Sequence, residues 1–492
     1  MKKALAPLLA VLLVAGCTVG PDYKRPEQAV PENHRGLAGA ATPESLADLS
    51  WWQLFKDPVL QGLVSEALKN NRNLAVAAAR VAESRALYGV SRGDLWPQVG
   101  YGANAARQKA PVAGIDPVTY NNFQLSGSIS WEIDLWGKIR RGNETALAQL
   151  LASEDNRRGI VLSLVTDVAQ AYLELRELDQ ELLIVQRTIA TRKATLDLFN
   201  KRLLGGVSNK LETTQAEAAL AQTEAVLPST KLSLLQKENQ ISLLLGRPPG
   251  PVARGEILID AKTDVAVPAG LPSALLERRP DVRQAEQLLH AACSQVGVAE
   301  ANFFPQLSLT GGAGYGSAEL SDLLKGGSFL WNLGASLTGP IFQGGKIKQN
   351  WEAAKARLDQ ARATYEQSVL TAFGEVSSSL EAHVRYAEVS AAQDKNVAAL
   401  REAEKIALMR YEGGVSNYLD VLDAQRQLFS GEVSLVQALR DRLRTVVVLY
   451  RALGGGWNSP ETIPEAASAA TSAPPAAPAA PAAAPATGPK PN

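Results

Sequence analysis

The sequence has few of the residues that form metal sites, disulfides or catalytic centres. Of its 492 residues only two are cysteine and three are histidine, and aromatic residues make up 6%. The histidines, at positions 34, 290 and 383, are too widely spaced to form a paired metal motif such as HExxH. We therefore expect no metal, no other cofactor and no catalytic residues, so that the protein is not an enzyme.

Net charge and long apolar runs are missing as well. Lys+Arg and Asp+Glu both number 50, so charge gives no reason to expect a nucleic-acid partner. No stretch approaches the 18 consecutive apolar residues that favour a membrane-spanning helix. From about Pro464 to Asn492 the chain is largely Ala, Pro, Ser and Thr with almost no charge, a composition typical of a disordered tail.

The first residues have the pattern of a bacterial signal peptide. Two lysines precede a short apolar run at 4–14, which ends in Val14-Ala15-Gly16-Cys17. Small residues before a cysteine resemble a lipobox, so residues 1–16 are predicted to be a signal peptide. Cys17 would then carry diacylglycerol and an N-acyl lipid. The alternative is an ordinary secretory signal that happens to contain a cysteine.

The chain contains a duplication with an offset of 208 residues. Four short matches share this offset: 97–98 with 305–306, 137–139 with 345–347, 205–209 with 413–417, and 245–246 with 453–454. Four matches at one offset indicate two copies of a large unit. The predicted segments are an N-terminal segment at 17–58, repeat 1 at 59–246, a linker at 247–272, repeat 2 at 273–454, and the remainder at 455–492.

Each copy is predicted to contain a helix, two strands and a long helical hairpin. Asp57-Pro58 indicates the start of the first helix, which is predicted to run to about Arg92. Apolar and polar residues alternate at 123–135, with a weaker partner strand at 99–107. This alternation is typical of membrane-barrel strands, but a half-buried soluble sheet alternates in the same way.

A heptad pattern follows the strands. Apolar residues recur at the a and d positions from Val161 to Leu203, with Arg192 as the charged exception. The helix is predicted to begin near Lys138 and to end at Gly205, a length of about 100 Å. Copy two repeats the arrangement from Lys346.

Because four strands per chain cannot close a barrel, the strands must join those of other chains: a dimer gives eight and a trimer twelve.

Several groups of residues together resemble the outer-membrane factor family, that of TolC and OprM, and within it the NodT-type lipoproteins. These groups are Cys17–Tyr23, Trp51-Trp52 with Asp57-Pro58, Arg278–Arg283, and Arg410–Gly414 followed by Tyr418–Ala424. The resemblance covers about residues 17–460. It implies an α+β membrane protein: a TolC-like homotrimer with a 12-stranded β-barrel, four strands per chain, continuous with a long periplasmic α-helical barrel.

The resemblance also implies a function. The expected protein is an outer-membrane channel subunit of a tripartite efflux pump that exports small molecules such as drugs or solvents. Its expected partners are a periplasmic adaptor protein, an inner-membrane RND-type pump and outer-membrane lipid. A type I protein-secretion duct is the alternative within the channel class. A structural coiled-coil lipoprotein is a further alternative, although a tether would have no use for amphipathic strands.

The resemblance implies two functional regions. Residues just after the last hairpin turn, Leu419, Asp420 and Asp423, would line a periplasmic gate, where copy one has Leu211, Glu212 and Gln215. Aspartates from three chains would form a ring of like charge, but they could also be charges near a helix N-terminus. The turns would contact the adaptor, or could be only interhelical turns; their residues are Gly205, Gly206, Val207, Ser208, Gly413, Gly414, Val415 and Ser416.

Overall fold

The fold is that of a computed structural model, which describes residues 18–35, 44–112, 115–207, 209–255 and 268–455. Cys17, Ser208 and the Ala/Pro-rich tail lie outside the described residues, so the predictions for them stay predictions. In the described part of the chain, the helices are α1 (Trp51–Leu54), α2 (Pro58–Asn70), α3 (Arg72–Gly93), α4 (Lys138–Leu204), α5 (Lys210–Leu244), α6 (Leu275–Arg278), α7 (Pro280–Ala301), α8 (Lys346–Glu412) and α9 (Tyr418–Ala452). The strands are β1 (Gln98–Val112), β2 (Ile115–Ile133), β3 (Gln306–Ser317) and β4 (Phe329–Thr338).

The helices repeat with the offset seen in the sequence. Helices α3 and α7, α4 and α8, and α5 and α9 begin and end at residues that differ by 208. The two longest, α4 and α8, each contain 67 residues and so extend for about 100 Å. The prediction of two copies, each with one very long helix, is therefore confirmed.

The first predicted helix is interrupted, which corrects the prediction of a continuous helix from Pro58 to about Arg92. Asn71 has an extended backbone between α2 and α3, and its Oδ1 accepts a hydrogen bond from the Leu74 amide. Its Nδ2 donates to the Leu244 carbonyl at 2.8 Å. The side chain thus caps a new helix and also satisfies a carbonyl at the end of α5, which favours the interruption.

Arg279 holds the equivalent position in copy two. It is also extended, between α6 and α7, and its Nη1 donates to the Ala452 carbonyl at 2.9 Å. Ala452 lies 208 residues after Leu244, so different side chains make the same contact in both copies. The interruption is therefore part of the repeated fold.

The strands form one antiparallel sheet in the order β1-β2-β3-β4. Strand β2 begins at Ile115, eight residues before the predicted start, and it pairs with β1 up to Val112. The sequence prediction missed this outer part because residues 119–122 are Thr, Tyr, Asn and Asn, which do not alternate in polarity. Strands β1 and β4 are the two edges, and neither has a second neighbouring strand within the described chain.

The heptad positions of α4 face other helices, as predicted. Of the thirteen a and d residues from Val161 to Leu203, none is exposed. The main apolar core lies near the middle of α4, where it meets α2, α5, α9 and the segment around Leu46 and Trp51. Across the part of the chain that the structure describes, no helix has both the length and the apolar character required to cross a bilayer.

Candidate functional site

The two faces of the sheet differ in polarity. Odd-numbered residues of β2 from Phe123 to Ile133 form an apolar face, and the even-numbered residues between them are mostly Ser, Gln and Glu. Ten residue steps span about 33 Å, and a strand tilt of about 40° reduces the height to about 25 Å. This height matches the apolar band of a membrane barrel. Ile129 and Trp131 on this face are 43% and 38% exposed, so the described residues of the chain leave it largely uncovered.

A strap, defined as residues 18–35, begins beside the junction of β2 and α4. The Val19 amide donates to the Trp136 carbonyl at 3.0 Å. Thr18 packs so closely on Gly137, which has φ +78°, that a Cβ there would lie 2.6 Å from the threonine methyl group. Thr18 is therefore close to the end of the apolar band of the sheet.

The strap is held to the helices by ion pairs and ring stacking. Asp22 pairs at 2.6 Å with Arg141, whose side chain is almost fully buried. The ring of Tyr23 stacks on His290, and Arg25 pairs with Glu286 at 2.5 Å. These contacts run along α4 and α7 away from the sheet and fix the position of the chain's N-terminal segment.

The opposite ends of the long helices are closed by matching turns. Gly206 and Gly414 have φ values of +73° and +72°, and the next residues, Val207 and Val415, donate backbone hydrogen bonds to the Arg202 and Arg410 carbonyls. This is the Schellman arrangement, which requires a left-handed residue and therefore favours glycine. Val207 and Val415 are exposed, so both turns present an apolar side chain at the tip.

The predicted gate residues follow the second turn directly. Asn417 caps α9, and its Oδ1 accepts a hydrogen bond from the Asp420 amide at 3.2 Å. Leu419 and Asp420 are exposed, whereas their neighbour Tyr418 is buried. The burial of Tyr418 thus fixes the start of α9 so that Leu419 and Asp420 lie on its outer surface.

Asp423 differs from Asp420 because it has partners on its own helix. Arg426 pairs with it at 2.6 Å, and Gln427 also donates to its carboxylate. These hydrogen bonds, that of Arg426 above all, hold the pKa of Asp423 below its usual value. Asp420 forms no ion pair within the described residues. Its charge is therefore the less compensated of the two.

An aromatic cluster joins the two hairpins near their tips. Phe199 of α4 contacts Tyr418 of α9 edge to face, with ring centroids 4.3 Å apart, and also meets Tyr411 of α8. Ala216 of α5 completes the contact of all four helices. Burial raises the pKa of Tyr418 to about 12, so its hydroxyl stays neutral. Among the described residues, this is the buried apolar cluster nearest the turns that joins copy one to copy two.

Arg192, the charged residue in the heptad pattern, is buried on α4, two turns farther from the tip than Phe199. Its guanidinium donates to the Ala219 carbonyl at 2.6 Å and also to the hydroxyl of Thr223, both on α5. Burial lowers its pKa. The arginine therefore joins the two helices of hairpin one by hydrogen bonds where the heptad pattern would have an apolar contact.

Farther from the turns, Glu432 of α9 links α9 to α4 and α8. Its side chain is only 6% exposed and pairs with Arg187 of α4 and with Arg401 of α8, the latter at 3.0 Å. These three charged side chains border a cavity of about 390 Å³ between the hairpins. Sequence analysis did not identify Glu432, because a glutamate on a helix is usually on the solvent side. Glu224, its equivalent in copy one, is exposed.

Comparison with known proteins gives a family and close structural relatives. The model of the outer membrane efflux protein family matches twice, at residues 63–247 and 271–455. The solvent efflux pump outer membrane protein SrpC of Pseudomonas putida is 36% identical over 469 residues, covering 93% of this chain and 99% of that protein. The cation efflux system protein CusC of Escherichia coli is 34% identical and covers 92% and 98%.

Solved structures have the same fold. The outer-membrane channel OprN superposes with a TM-score of 0.84 at 33% identity, covering 90% of this chain and all of that one. The open state of the MtrE outer membrane channel of Neisseria gonorrhoeae gives 0.81 at 33% identity, with 90% and 99% covered. The predicted TolC-like fold is confirmed, and the chain belongs to the outer membrane efflux protein family.

Proposed function

We propose that this chain is one of three identical subunits of an outer-membrane duct that exports small toxic compounds from the periplasm. The inner end of the duct would meet a periplasmic adaptor and an inner-membrane RND-type pump. Relatives are named for solvent, toluene, antibiotic and cation efflux. These relatives are similarly identical to this chain, but their names give different substrates. We therefore propose small toxic molecules as the class of substrate and do not choose a single compound. The export itself requires no chemical step.

The observation that carries the proposal is the joining of a four-stranded sheet to helices far longer than a bilayer is thick. The sheet has an uncovered apolar face and two open edges, which a bilayer tolerates only when the barrel is closed. The helices carry charged residues along their whole length, so they stand in water. A closed barrel followed by a tube of helices gives a continuous path across the outer membrane and into the periplasm.

We also propose a gate formed by Leu419, Asp420 and Asp423 and adaptor contacts formed by the two turns. Asp420 supports the gate because it is exposed at the start of α9 and unpaired in the described chain. Val207 and Val415 support the contacts because they are exposed apolar side chains at the tips. An adaptor can shift the gate only through a higher affinity for the open form.

Removing the gate charges is expected to let ions leak through the purified trimer. The Asp420→Ala variant should raise single-channel conductance severalfold in planar bilayers, and Asp423→Ala should raise it less, because Asp423 is already paired with Arg426. The matched control is Glu212→Ala in copy one, which should conduct like the wild type. Unchanged conductance in the Asp420→Ala, Asp423→Ala double variant would exclude the gate assignment.

Lipid on Cys17 is proposed because the strap starts beside the inner end of the apolar band. Val19 is held at that end of the sheet, and several acyl chains on the cysteine two positions earlier in the sequence would give stable anchoring. Cells grown with labelled palmitate should incorporate the label into the wild-type protein and lose it completely in Cys17→Ser. Label retained in Cys17→Ser would contradict the lipoprotein assignment, and with it the NodT-type classification.

A further inference from the structure

The cavity between the hairpins has more positive than negative charge in its walls. It lies between α4, α8 and α9, and its volume of about 390 Å³ is within the range of small-molecule sites. Its charged lining consists of three arginines and two glutamates: Arg187, Arg192, Arg401, Glu404 and Glu432. The formal charge of the lining is therefore positive by one unit, which favours an anionic ligand.

Arg192 is the lining residue whose charge lacks a partner. Its side chain is buried, and both of its hydrogen bonds run from Nη1 to neutral oxygens of α5. Within the described chain, Nε is buried with no hydrogen-bond partner, and neither glutamate of the lining forms an ion pair with this arginine. Because a buried charge is costly unless it is paired, an anion in the cavity would supply what the chain does not.

Gln425 of α9 lines the same cavity and has the opposite need. The residue is only 9% exposed, and its Oε1 is buried with no hydrogen-bond partner among the described residues. An unpartnered buried carbonyl oxygen requires a donor. A sulfate or a simple carboxylate has no hydrogen to donate at neutral pH. The amide oxygen therefore favours an anion that also carries a hydroxyl group.

Arg187 and Arg401 supply further donors at the mouth of the cavity. Glu432 accepts from Nη2 of Arg187 and from Nε and Nη2 of Arg401, whereas each guanidinium has five N–H groups. Both arginine side chains are more than half exposed, so a ligand can approach them from solvent. An oxyanion can therefore bind them without displacing Glu432.

We propose that this cavity binds inorganic phosphate, as a hydrogenphosphate ion. The phosphate oxygens accept from Arg192 and from the two arginines at the mouth, and the phosphate hydroxyl donates to Oε1 of Gln425. Such charge-assisted hydrogen bonds are stronger than neutral ones. The bound ion joins α4 to α8 and α9. All of its ligands come from one chain, so the site does not depend on the proposed duct.

The internal repeat provides a variant that removes the central cation and keeps the helices packed. Copy two has Leu400 and Gly431 where copy one has Arg192 and Thr223. A Cβ at Gly431 would lie 2.7 Å from Cδ1 of Leu400, so the leucine packs directly on the glycine. The double variant Arg192→Leu, Thr223→Gly copies this apolar contact into hairpin one.

Titration calorimetry of the full-length protein in mild detergent tests the site, with sodium phosphate or sodium sulfate at about pH 8 as the ligand. Both anions then carry two charges, but only phosphate keeps a hydroxyl group. We expect one phosphate per chain and about fivefold weaker binding of sulfate. The Arg192→Leu, Thr223→Gly variant should bind phosphate at least about tenfold more weakly. Lys193→Gln, which removes an exposed charge from the next position, should bind like the wild type.

Gln425→Leu tests the role of the amide. This variant should bind phosphate and sulfate equally, because the acceptor for the phosphate hydroxyl is gone. Equal binding of the two anions by the wild type would overturn the choice of phosphate. A wild type that binds no phosphate at millimolar concentration, or equal weakening by Lys193→Gln and by the Arg192→Leu, Thr223→Gly variant, would overturn the site.

Discussion

Replacing Ile129 with arginine is expected to prevent insertion of the barrel into the outer membrane. Ile129 lies close to the middle of the apolar band that runs from Phe123 to Ile133. An arginine at the bilayer midplane of such a barrel costs about 2–4 kcal/mol, and three subunits carry it together. The fraction of protein recovered as heat-dissociable oligomer from outer membranes should therefore fall by more than tenfold.

The neighbouring residue provides a matched control. Ser128 is on the opposite face, which would line the lumen of the proposed duct, and it is exposed. Ser128→Arg should insert and assemble like the wild type. The comparison also distinguishes a membrane barrel from a soluble sheet, because the face of Ile129 is uncovered in the chain and a soluble protein would accept a charge there. Normal assembly of Ile129→Arg would contradict the barrel.

Replacing Glu432 with glutamine is expected to weaken the link between α4, α8 and α9, which we propose holds the hairpins together when the duct is closed. The change keeps the shape of the side chain and removes the negative charge between Arg187 and Arg401. Breaking a buried ion pair costs about 3–5 kcal/mol, and we expect about 1–2 kcal/mol per chain because both arginines are more than half exposed. Since 1.4 kcal/mol is a factor of ten and all three chains carry the change, closed channels should open at least ten times more often.

Glu224→Gln serves as the control for this substitution. Glu224 is the copy-one equivalent of Glu432, and it is exposed. Single-channel recordings of both variants should show more frequent opening for Glu432→Gln only. Equal opening frequencies in Glu432→Gln and the wild type, with an intact trimer, would show that the link between α4, α8 and α9 does not hold the hairpins closed.

The sequence was informative where periodicity and turns decide the structure. The heptads and the glycine pairs predicted the long helices to within a residue or two at their ends, because a Schellman turn requires glycine at a known place. The offset of 208 predicted two copies, and the family model matches twice. Regular patterns of burial and special backbone conformations are thus visible in one sequence.

The remaining features depend on contacts between distant residues. Asn71 ends α2 because its amide reaches Leu244, 173 residues away, and no local pattern indicates that contact. The two arginine partners of Glu432 come from two other helices. Asp22 was recognised as part of a motif, but its pairing with buried Arg141 requires the fold. Such contacts are not periodic, so the sequence alone does not predict them.

The mass of the protein in mild detergent tests the central claim most directly, because the account requires several chains to close one barrel. Light scattering of the unboiled, purified protein should give three times the mass of a single chain, and boiling should give the single-chain mass. Three chains supply twelve strands and remove both open edges. A stable single chain, or a dimer with eight strands, would contradict the trimeric duct.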